Sequence, residues 1–167
     1  MNRLWKIIFI ILTLLLVSDT AMANNRLHLF FISKSENKNQ VHYAINLDNK
    51  CAPVGDAPVY AYWQMLEKGP GFTEGLLERE QRPYGIGSQS INKNVVSFAL
   101  NSVPHKTITV TSSTENGVCH IKTTTLLNGE VCILDSIYID LWIFGVRKIT
   151  AYGRRIKDGV HVEEEIK

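Results

Sequence analysis

The chain has 167 residues, of which 45% are hydrophobic and 20% charged, and its 18 basic and 16 acidic residues give a formal net charge of +2. This length fits one globular domain. The small net charge and the scattered Lys and Arg residues provide no basic stripe, so the sequence argues against a nucleic-acid-binding protein.

The first 23 residues have the pattern of a signal peptide that is removed on export. Arg3 and Lys6 give a positive start, the apolar run Ile7–Val17 follows, and Ala21–Ala23 provides a small-x-small cleavage site. The apolar run has about 11 residues, whereas a helix that spans a bilayer needs roughly 20. We therefore predict a periplasmic or secreted protein with no membrane span after signal removal. An uncleaved anchor is the alternative.

Residues 24–167 are expected to form a single β domain that opens with three strands. Leu27–Ser33 is a near-continuous apolar run, which indicates burial on both faces. Apolar and polar residues alternate in Val41–Leu47, as in a strand with one solvated face, and Val59–Met65 is a third strand. These strands form the sheet to which the rest of the chain is added.

One short helix is predicted after the third strand. Gly69–Gly71 interrupts the chain, Thr73 is a suitable N-cap, and Leu76 and Leu77 lie on one face. The helix should end before Pro83, because the residue that precedes a proline is disfavoured in the helical conformation.

The second half of the chain consists of strands at regular spacing. They are predicted at Val95–Leu100, Thr107–Ser112, Val118–Leu127, Val131–Phe144, Val146–Arg154 and Val160–Ile166. Asn116-Gly117, Asn128-Gly129 and Asp158-Gly159 separate some of them and are strong hairpin signals. The predicted fold is therefore mainly β, an antiparallel meander of about nine to ten strands that closes as a barrel or a two-layer sandwich.

The exported chain retains three cysteines, which allow one disulfide and one free thiol. Cys119 and Cys132 flank the Asn128-Gly129 turn, but a two-residue turn places Thr125 opposite Cys132, so these two cysteines do not face each other. Cys51 with Cys119 or Cys132 is therefore favoured, and we predict Cys51–Cys119. Three buried, unpaired cysteines are the alternative.

The polar turn Ser33–Asn39, together with nearby aromatic residues, is the predicted ligand-binding site. Loops on rigid scaffolds often carry sites, and aromatic side chains with a few polar groups line most small-molecule pockets. The predicted ligand-binding residues are Ser35, Asn37, Asn39, Tyr43, Tyr62 and Trp63. The alternatives are a solvated hairpin turn and, for Trp63, ordinary packing in the core.

The motifs of common catalytic and metal sites are missing from the sequence. The five histidines have no HxH, HxxH or HExxH spacing, and neither a GxSxG elbow nor a P-loop is present. We therefore predict no metal, no cofactor and no catalytic residue, and the assignment leans against an enzyme.

The long strand Val131–Phe144 is apolar on both faces, with Tyr138, Trp142 and Phe144 on one of them. This pattern indicates two-sided burial, a partner surface or the lipid-facing wall of a barrel. The polar composition of Thr107–Thr125 argues against the lipid-facing wall.

Three segments of the chain, LFFISKSENKNQVHYAINLD, PVYAYWQMLEKG and RPYGIG, carry a family resemblance. The chain resembles an uncharacterised exported bacterial family, domain of unknown function 4833. The matching positions are Ser35, Asn37, Asn39, Val41, Tyr43, Leu47, Asp48, Tyr62, Trp63, Tyr84 and Gly85. The resemblance implies no activity, but it implies that the polar turn and the Tyr-Trp strand form one unit.

The sequence thus predicts an exported, non-enzymatic β domain that binds an unknown small molecule or an envelope protein. One alternative is an envelope hydrolase that uses carboxylates in a cleft, with Glu36, Asp48 and Glu67 as candidates. The other is a structural or assembly component of the envelope that pairs through Ile137–Phe144. The sequence leaves the oligomeric state open.

Overall fold

A computed structural model describes residues 25–166, so the predicted signal peptide lies outside the described residues. This part of the chain has eleven strands, one short α-helix and one 3-10 turn. The strands are β1 (Asn25–Lys34), β2 (Asn37–Leu47), β3 (Val59–Gln64), β4 (Thr73–Gly75), β5 (Ser90–Asn92), β6 (Val95–Leu100), β7 (Val103–Glu115), β8 (Val118–Leu127), β9 (Glu130–Trp142), β10 (Gly145–Arg155) and β11 (His161–Ile166). The 3-10 turn is Leu66–Lys68 and the helix, α1, is Glu78–Tyr84. None of the helices described is long and apolar enough to cross a membrane.

The strands form one mixed sheet in the order β4-β3-β2-β1-β9-β8-β7-β6-β5, and β10 and β11 branch from β9. One edge of β9 is shared: its first residues pair with β8, whereas Ser136–Ile139 pairs in parallel with Phe31–Lys34 of β1. The other edge of β9 pairs with β10 from Cys132 to Trp142. The predicted mainly β fold is confirmed, but it is not a pure antiparallel meander.

The prediction of a closed barrel is not supported, because β4 and β5 are the two end strands of the sheet and, among the described residues, they do not pair with each other. Side chains from both halves of the sheet are nevertheless buried in one hydrophobic core. Phe30 and Tyr43 represent the first half of this core, and Phe98 and Val110 represent the second. The sheet therefore buries one face of each half in a common interior.

The two Asn-Gly turns are hairpins, as predicted. Asn116 and Gly117 have φ values of 51° and 76°, and Asn128 and Gly129 have φ values of 50° and 80°. Positive φ at both positions is the requirement of the two-residue turn that matches strand twist, and Asn and Gly tolerate it better than other residues.

The predicted start of the helix was wrong. Thr73–Gly75 is not the beginning of the helix but strand β4, which pairs with the edge of β3. The helix begins at Glu78, where the carboxylate of Glu80 accepts the backbone N–H of Leu77 at 2.8 Å. It ends at Tyr84, one residue past Pro83.

The predicted disulfide Cys51–Cys119 is confirmed, and Cys132 is free and buried. The bridge connects the loop after β2 to β8, and the same loop is held by the Ser112 hydroxyl, which donates to the carbonyl oxygen of Cys51 at 2.7 Å. Burial raises the pKa of the Cys132 thiol. The oxidised pair is typical of proteins in an oxidising compartment.

Candidate functional site

A groove of about 290 Å³ lies between the β1–β2 turn, the end of β3, β4 and the start of α1. Its lining combines charged, amide and apolar side chains: Lys34, Asn37, Asn39, Trp63, Met65, Glu74, Leu77, Arg79 and Glu80, with Gly75. The groove exists because β4 adds to the edge of β3 and carries the chain across to α1. Four separate segments of sequence therefore meet at one place.

Trp63 is fixed in position at the groove. Its side chain is only 8% exposed, and its indole Nε1 donates to Oε2 of Glu80 at 2.9 Å. The ring of Tyr84 packs edge-on against it at 5.3 Å, and Nζ of Lys34 lies 5.1 Å from the indole centroid. Trp63 thus provides a rigid apolar surface with a cation beside it.

The polar turn is organised by amide hydrogen bonds. The Asn39 side chain donates to Oε2 of Glu67 at 3.3 Å and accepts the Glu67 backbone N–H at 3.1 Å. The Asn37 side-chain oxygen accepts the backbone N–H of Asn39 at 3.0 Å. Asn39 therefore holds the 3-10 turn against β2. The amide nitrogen of Asn37 has no protein partner within residues 25–166, so it is available at the groove.

The charges at the groove differ in how fully they are paired. Lys34 makes an ion pair with the exposed Glu36 at 3.1 Å, and Glu74 pairs with Lys68. Glu80 accepts from both Trp63 and Leu77. Arg79 makes no ion pair with any part of the chain that the structure describes, although it lines the groove. The groove thus has two cations and two carboxylates, with Arg79 uncommitted.

The structure brings together only some of the predicted ligand-binding residues. Asn37, Asn39 and Trp63 line the groove. Tyr43 does not: it is fully buried, stacks on Phe30 at 4.4 Å, and donates its hydroxyl to the Tyr84 carbonyl at 2.6 Å. Burial raises the pKa of Tyr43, as expected of a core phenol.

Ser35 has a structural position. Its hydroxyl accepts the backbone N–H of Leu141 at 2.8 Å, and it lies 3.3 Å from the Leu141 carbonyl. These bonds extend the pairing of β1 with β9 past the end of the strand. Ser35 faces β9 rather than the groove.

Tyr62 lies on the opposite face of the sheet from Trp63, because successive side chains of a strand alternate. There it neighbours His42 at 5.7 Å and Tyr60 at 6.0 Å. The His42 ring is also 4.8 Å from that of His28. Burial, and then the nearby His28, lowers the pKa of His42 to about 4, and burial lowers the pKa of His28. We call His28, Phe31, His42, Tyr60 and Tyr62 the aromatic face.

Sequence reasoning missed Lys34, Glu74, Arg79 and Glu80 as groove residues. The polar run Glu78-Arg79-Glu80 directly after two leucines was a local signal of a helix with one solvated side. Nothing in the local sequence indicated that β4 would bring this helix to the polar turn.

Comparison with known protein families covers most of the described chain. A family model described as a domain of unknown function (DUF4833) matches residues 30–165. The chain belongs to this family. No curated protein and no solved structure matches it.

The match to the DUF4833 family includes every residue that lines the groove. The family resemblance inferred from the sequence is therefore correct. The family description assigns no activity, so a function for this DUF4833 domain has to be argued from its own side chains.

Glu36 and Asp48, two of the three carboxylates considered for a hydrolase, lie far apart in this DUF4833 domain. Glu36 precedes β2 and Asp48 follows it, and an eleven-residue strand at about 3.3 Å per residue separates its ends by roughly 35 Å. Asp48 accepts the backbone N–H groups of Ala52 and Lys50, and these bonds lower its pKa. Within residues 25–166, no cluster of three or more His, Cys, Asp or Glu side chains has the arrangement of a metal site.

Proposed function

We propose that this domain is an exported, non-enzymatic binding protein that takes a small zwitterionic ligand, such as a free amino acid or a short peptide, in the Trp63 groove. The observation that carries the proposal is that Arg79, Lys34 and Asn37 line one groove with the rigid indole of Trp63, and that the Lys34 ammonium lies beside that indole. A polar ligand is bound best where donors and acceptors are held in place before it arrives.

The donor set favours a carboxylate. The Arg79 guanidinium is free to form the two parallel hydrogen bonds that a carboxylate accepts, and the Lys34 ammonium and Asn37 amide add further donors. Glu74 provides an acceptor for an ammonium group on the same ligand, since its present partner, Lys68, is an exposed and weakly held cation. The groove thus offers donors for a carboxylate and an acceptor for an ammonium group, the two charged groups of a zwitterionic ligand.

The supporting residues favour binding over catalysis. Glu80, the carboxylate nearest the indole, is occupied by two hydrogen bonds, and Asn39 is occupied by Glu67. These groups hold Trp63 and the polar turn in place. A groove of about 290 Å³ suits a ligand of amino-acid size, because small-molecule pockets begin at roughly 300 Å³.

Export is supported by two separate features. The N-terminal segment has the charge and hydropathy pattern of a signal peptide, and the folded domain contains the Cys51–Cys119 disulfide. The common core of the two half-sheets favours a two-layer sandwich over an open sheet.

The test uses the two tryptophans that a chain starting at Asn24 contains. Each indole N–H gives its own NMR signal, so Trp63 reports on the groove and Trp142, on the β9–β10 turn, is an internal control. The probes are the twenty amino acids and the dipeptide alanyl-alanine, added singly at millimolar concentration. We expect at least one to shift the Trp63 signal and leave that of Trp142 in place.

Arg79→Gln should weaken the binding of the responding probe by about tenfold or more, since a charge-assisted pair with a carboxylate is lost. Arg82→Gln is the matched control, because Arg82 lies on the same helix but does not line the groove. If no probe moves the Trp63 signal, or if both variants bind equally well, the proposed function is wrong.

A further inference from the structure

The β9–β10 hairpin ends in an apolar tip. Its two-residue turn consists of Ile143, 88% exposed, and Phe144, 78% exposed. Trp142 and Val146, on either side, are each more than half exposed, and the rings of Trp142 and Phe144 pack edge-on at 4.8 Å. We call these four residues the apolar tip. A contiguous apolar cluster on a protruding turn marks an interaction surface, whereas apolar residues scattered singly over a surface do not.

A second exposed apolar area lies at the other end of the same hairpin. Leu126 and Val131 are directly paired across β8 and β9, and both are more than half exposed. Ile156, also exposed, is joined to Val131 by a backbone hydrogen bond of 3.3 Å. We call Leu126, Val131 and Ile156 the basal patch. Val131 and Ile156 line an open pocket of about 350 Å³.

The tip and the basal patch cannot meet within one chain. Val131 and Ile143 are twelve residues apart along an extended segment, which at about 3.3 Å per residue separates them by roughly 40 Å. One molecule therefore presents a convex apolar surface at one end and a concave one at the opposite end. A protrusion that matches a pocket elsewhere on the same molecule makes a heterologous contact between copies.

The size and the charged surroundings of the two surfaces are compatible. A cavity of about 150 Å³ already holds a benzene ring, so the basal pocket has room for the phenyl ring of Phe144. Asp140 and Arg147 pair beside the tip. Three charged residues line the pocket together with Val131 and Ile156, and Glu130 pairs there with Arg155 at 2.9 Å and with Lys157 at 3.2 Å. Each apolar centre thus has a polar border of both signs, as protein interfaces do, and like charges do not dominate either end.

We propose that the apolar tip of one copy of this protein inserts into the basal patch of a second copy. The contact leaves a free patch on the first molecule and a free tip on the second, so further copies add in the same orientation. The result is a head-to-tail chain of domains. The segment Ile137–Phe144, predicted from the sequence to serve in assembly, thus has the basal patch of a second copy as its partner. The inference does not depend on the Trp63 groove.

The first measurement is sedimentation velocity of the chain from Asn24 over a range of concentrations. The wild type should show a mass that rises with concentration. A tip variant, Ile143→Ser with Phe144→Ser, and a patch variant, Val131→Ser with Ile156→Ser, should each associate at least tenfold more weakly. Val118→Ser is the matched control, because Val118 is equally exposed but flanks the Asn116-Gly117 turn.

Mixing the two variants tests the orientation. The tip variant retains an intact patch and the patch variant an intact tip, so an equal mixture should form a one-to-one dimer that does not grow. This dimer also proves that both variants are folded. If no dimer forms, the urea midpoint of unfolding is measured for both variants. Midpoints within about 0.5 M of the wild type would show that both variants are folded, and the proposal would then be wrong.

Two other results would also overturn the inference. One is a wild type that stays monomeric up to about 1 mM, which would make the dissociation constant of any such contact weaker than that. The other is a monomeric wild type that floats with phosphatidylcholine vesicles in a manner abolished by the tip variant but not by the patch variant. That second result would identify a lipid surface as the partner of the tip.

Discussion

Trp63 and Glu80 are joined by a single hydrogen bond that links the sheet to the helix. The indole Nε1 of Trp63 lies 2.9 Å from Oε2 of Glu80, and the same oxygen accepts the Leu77 backbone N–H that would otherwise be unpaired at the start of α1. One carboxylate therefore both caps the helix and fixes the floor of the groove.

Glu80→Ala should lower the free energy of unfolding by about 1–3 kcal/mol, because it leaves a buried indole N–H and a helix N–H without acceptors. Glu80→Gln keeps an acceptor oxygen and should cost less than half as much. Urea denaturation followed by far-UV circular dichroism measures both. Glu78→Ala, an exposed residue on the same helix, is the control. Equal effects at Glu78 and Glu80 would contradict this role.

Removal of the disulfide should destabilise the domain strongly. Cys51 and Cys119 are separated by 68 residues. Closing a loop of this length lowers the conformational entropy of the unfolded chain, which raises the free energy of unfolding by about 4 kcal/mol. The variant with Cys51→Ala and Cys119→Ala should therefore unfold at a much lower urea concentration than the wild type. Dithiothreitol should lower the wild-type midpoint and leave that of the variant unchanged. A wild-type urea midpoint that dithiothreitol leaves unchanged would refute the prediction.

Acid should weaken the fold through His42. Because the folded state lowers the pKa of this imidazole to about 4, the unfolded chain, with a value of about 6.5, binds the proton more tightly. The stability of the fold is therefore unaffected by His42 protonation above about pH 6.5. It decreases as the pH falls towards 4, because the unfolded chain takes up the proton first. A proton on His28 as well would place two like charges on rings 4.8 Å apart.

His42→Gln should therefore show a smaller fall in the urea midpoint between pH 7 and pH 4 than the wild type does. His105→Gln, at an exposed position on β7, serves as the control and should follow the wild-type curve. An identical pH dependence in His42→Gln and the wild type would rule out this imidazole as the source.

Gly153 is a position where a side chain does not fit. A Cβ atom there would lie 2.4 Å from the backbone oxygen of Ile133 and 2.9 Å from Cδ1 of Leu127. Gly153→Ala should cost about 2 kcal/mol or more, because the backbone of β9 has to move. Gly75→Ala is the matched control on a strand, since nothing lies within 4 Å of its added Cβ. Thermal unfolding that places both variants at the same temperature would contradict the close packing of β9 and β10.

The local features of the fold could be predicted from sequence, because each depends on neighbours along the chain. Asn128-Gly129 forms its turn whatever the rest of the molecule does, since both residues accept positive φ at low cost. The disulfide was predictable in part: the Asn-Gly turn kept Cys119 and Cys132 from facing each other, which left Cys51 to pair with one of them. The choice of Cys119 over Cys132 depends on the loop after β2, which brings Cys51 to β8.

Features that depend on distant pairing could not be predicted in the same way. Thr73–Gly75 has the composition of a helix start, but the free edge of β3 offers its backbone hydrogen bonds, and that edge is visible only in the fold. The parallel pairing of Phe31 with Ser136 likewise leaves no trace in either segment. Tertiary pairing overrides local preference in both cases.

For a related reason, only part of the spatial grouping of the predicted site residues could be read from the sequence. The turn residues Asn37 and Asn39 were grouped correctly with Trp63, because adjacent strands bring them together. Tyr62 was grouped wrongly with Trp63, although the two-residue period of a strand places neighbours on opposite faces. The sequence does not identify Arg79 as a groove residue, since Arg79 reaches the groove only because β4 pairs with β3.

The parallel contact between β1 and β9 also sets the order in which the molecule is completed. One edge of β1 stays unpaired until β9 is in place, because Phe31 pairs there with Ser136, about 105 residues further along the chain. During that time an apolar strand carries a row of unpaired backbone groups, the kind of edge that aggregates. A contact so distant along the chain also slows folding, so the edge of β1 stays open to aggregation until β9 pairs with it.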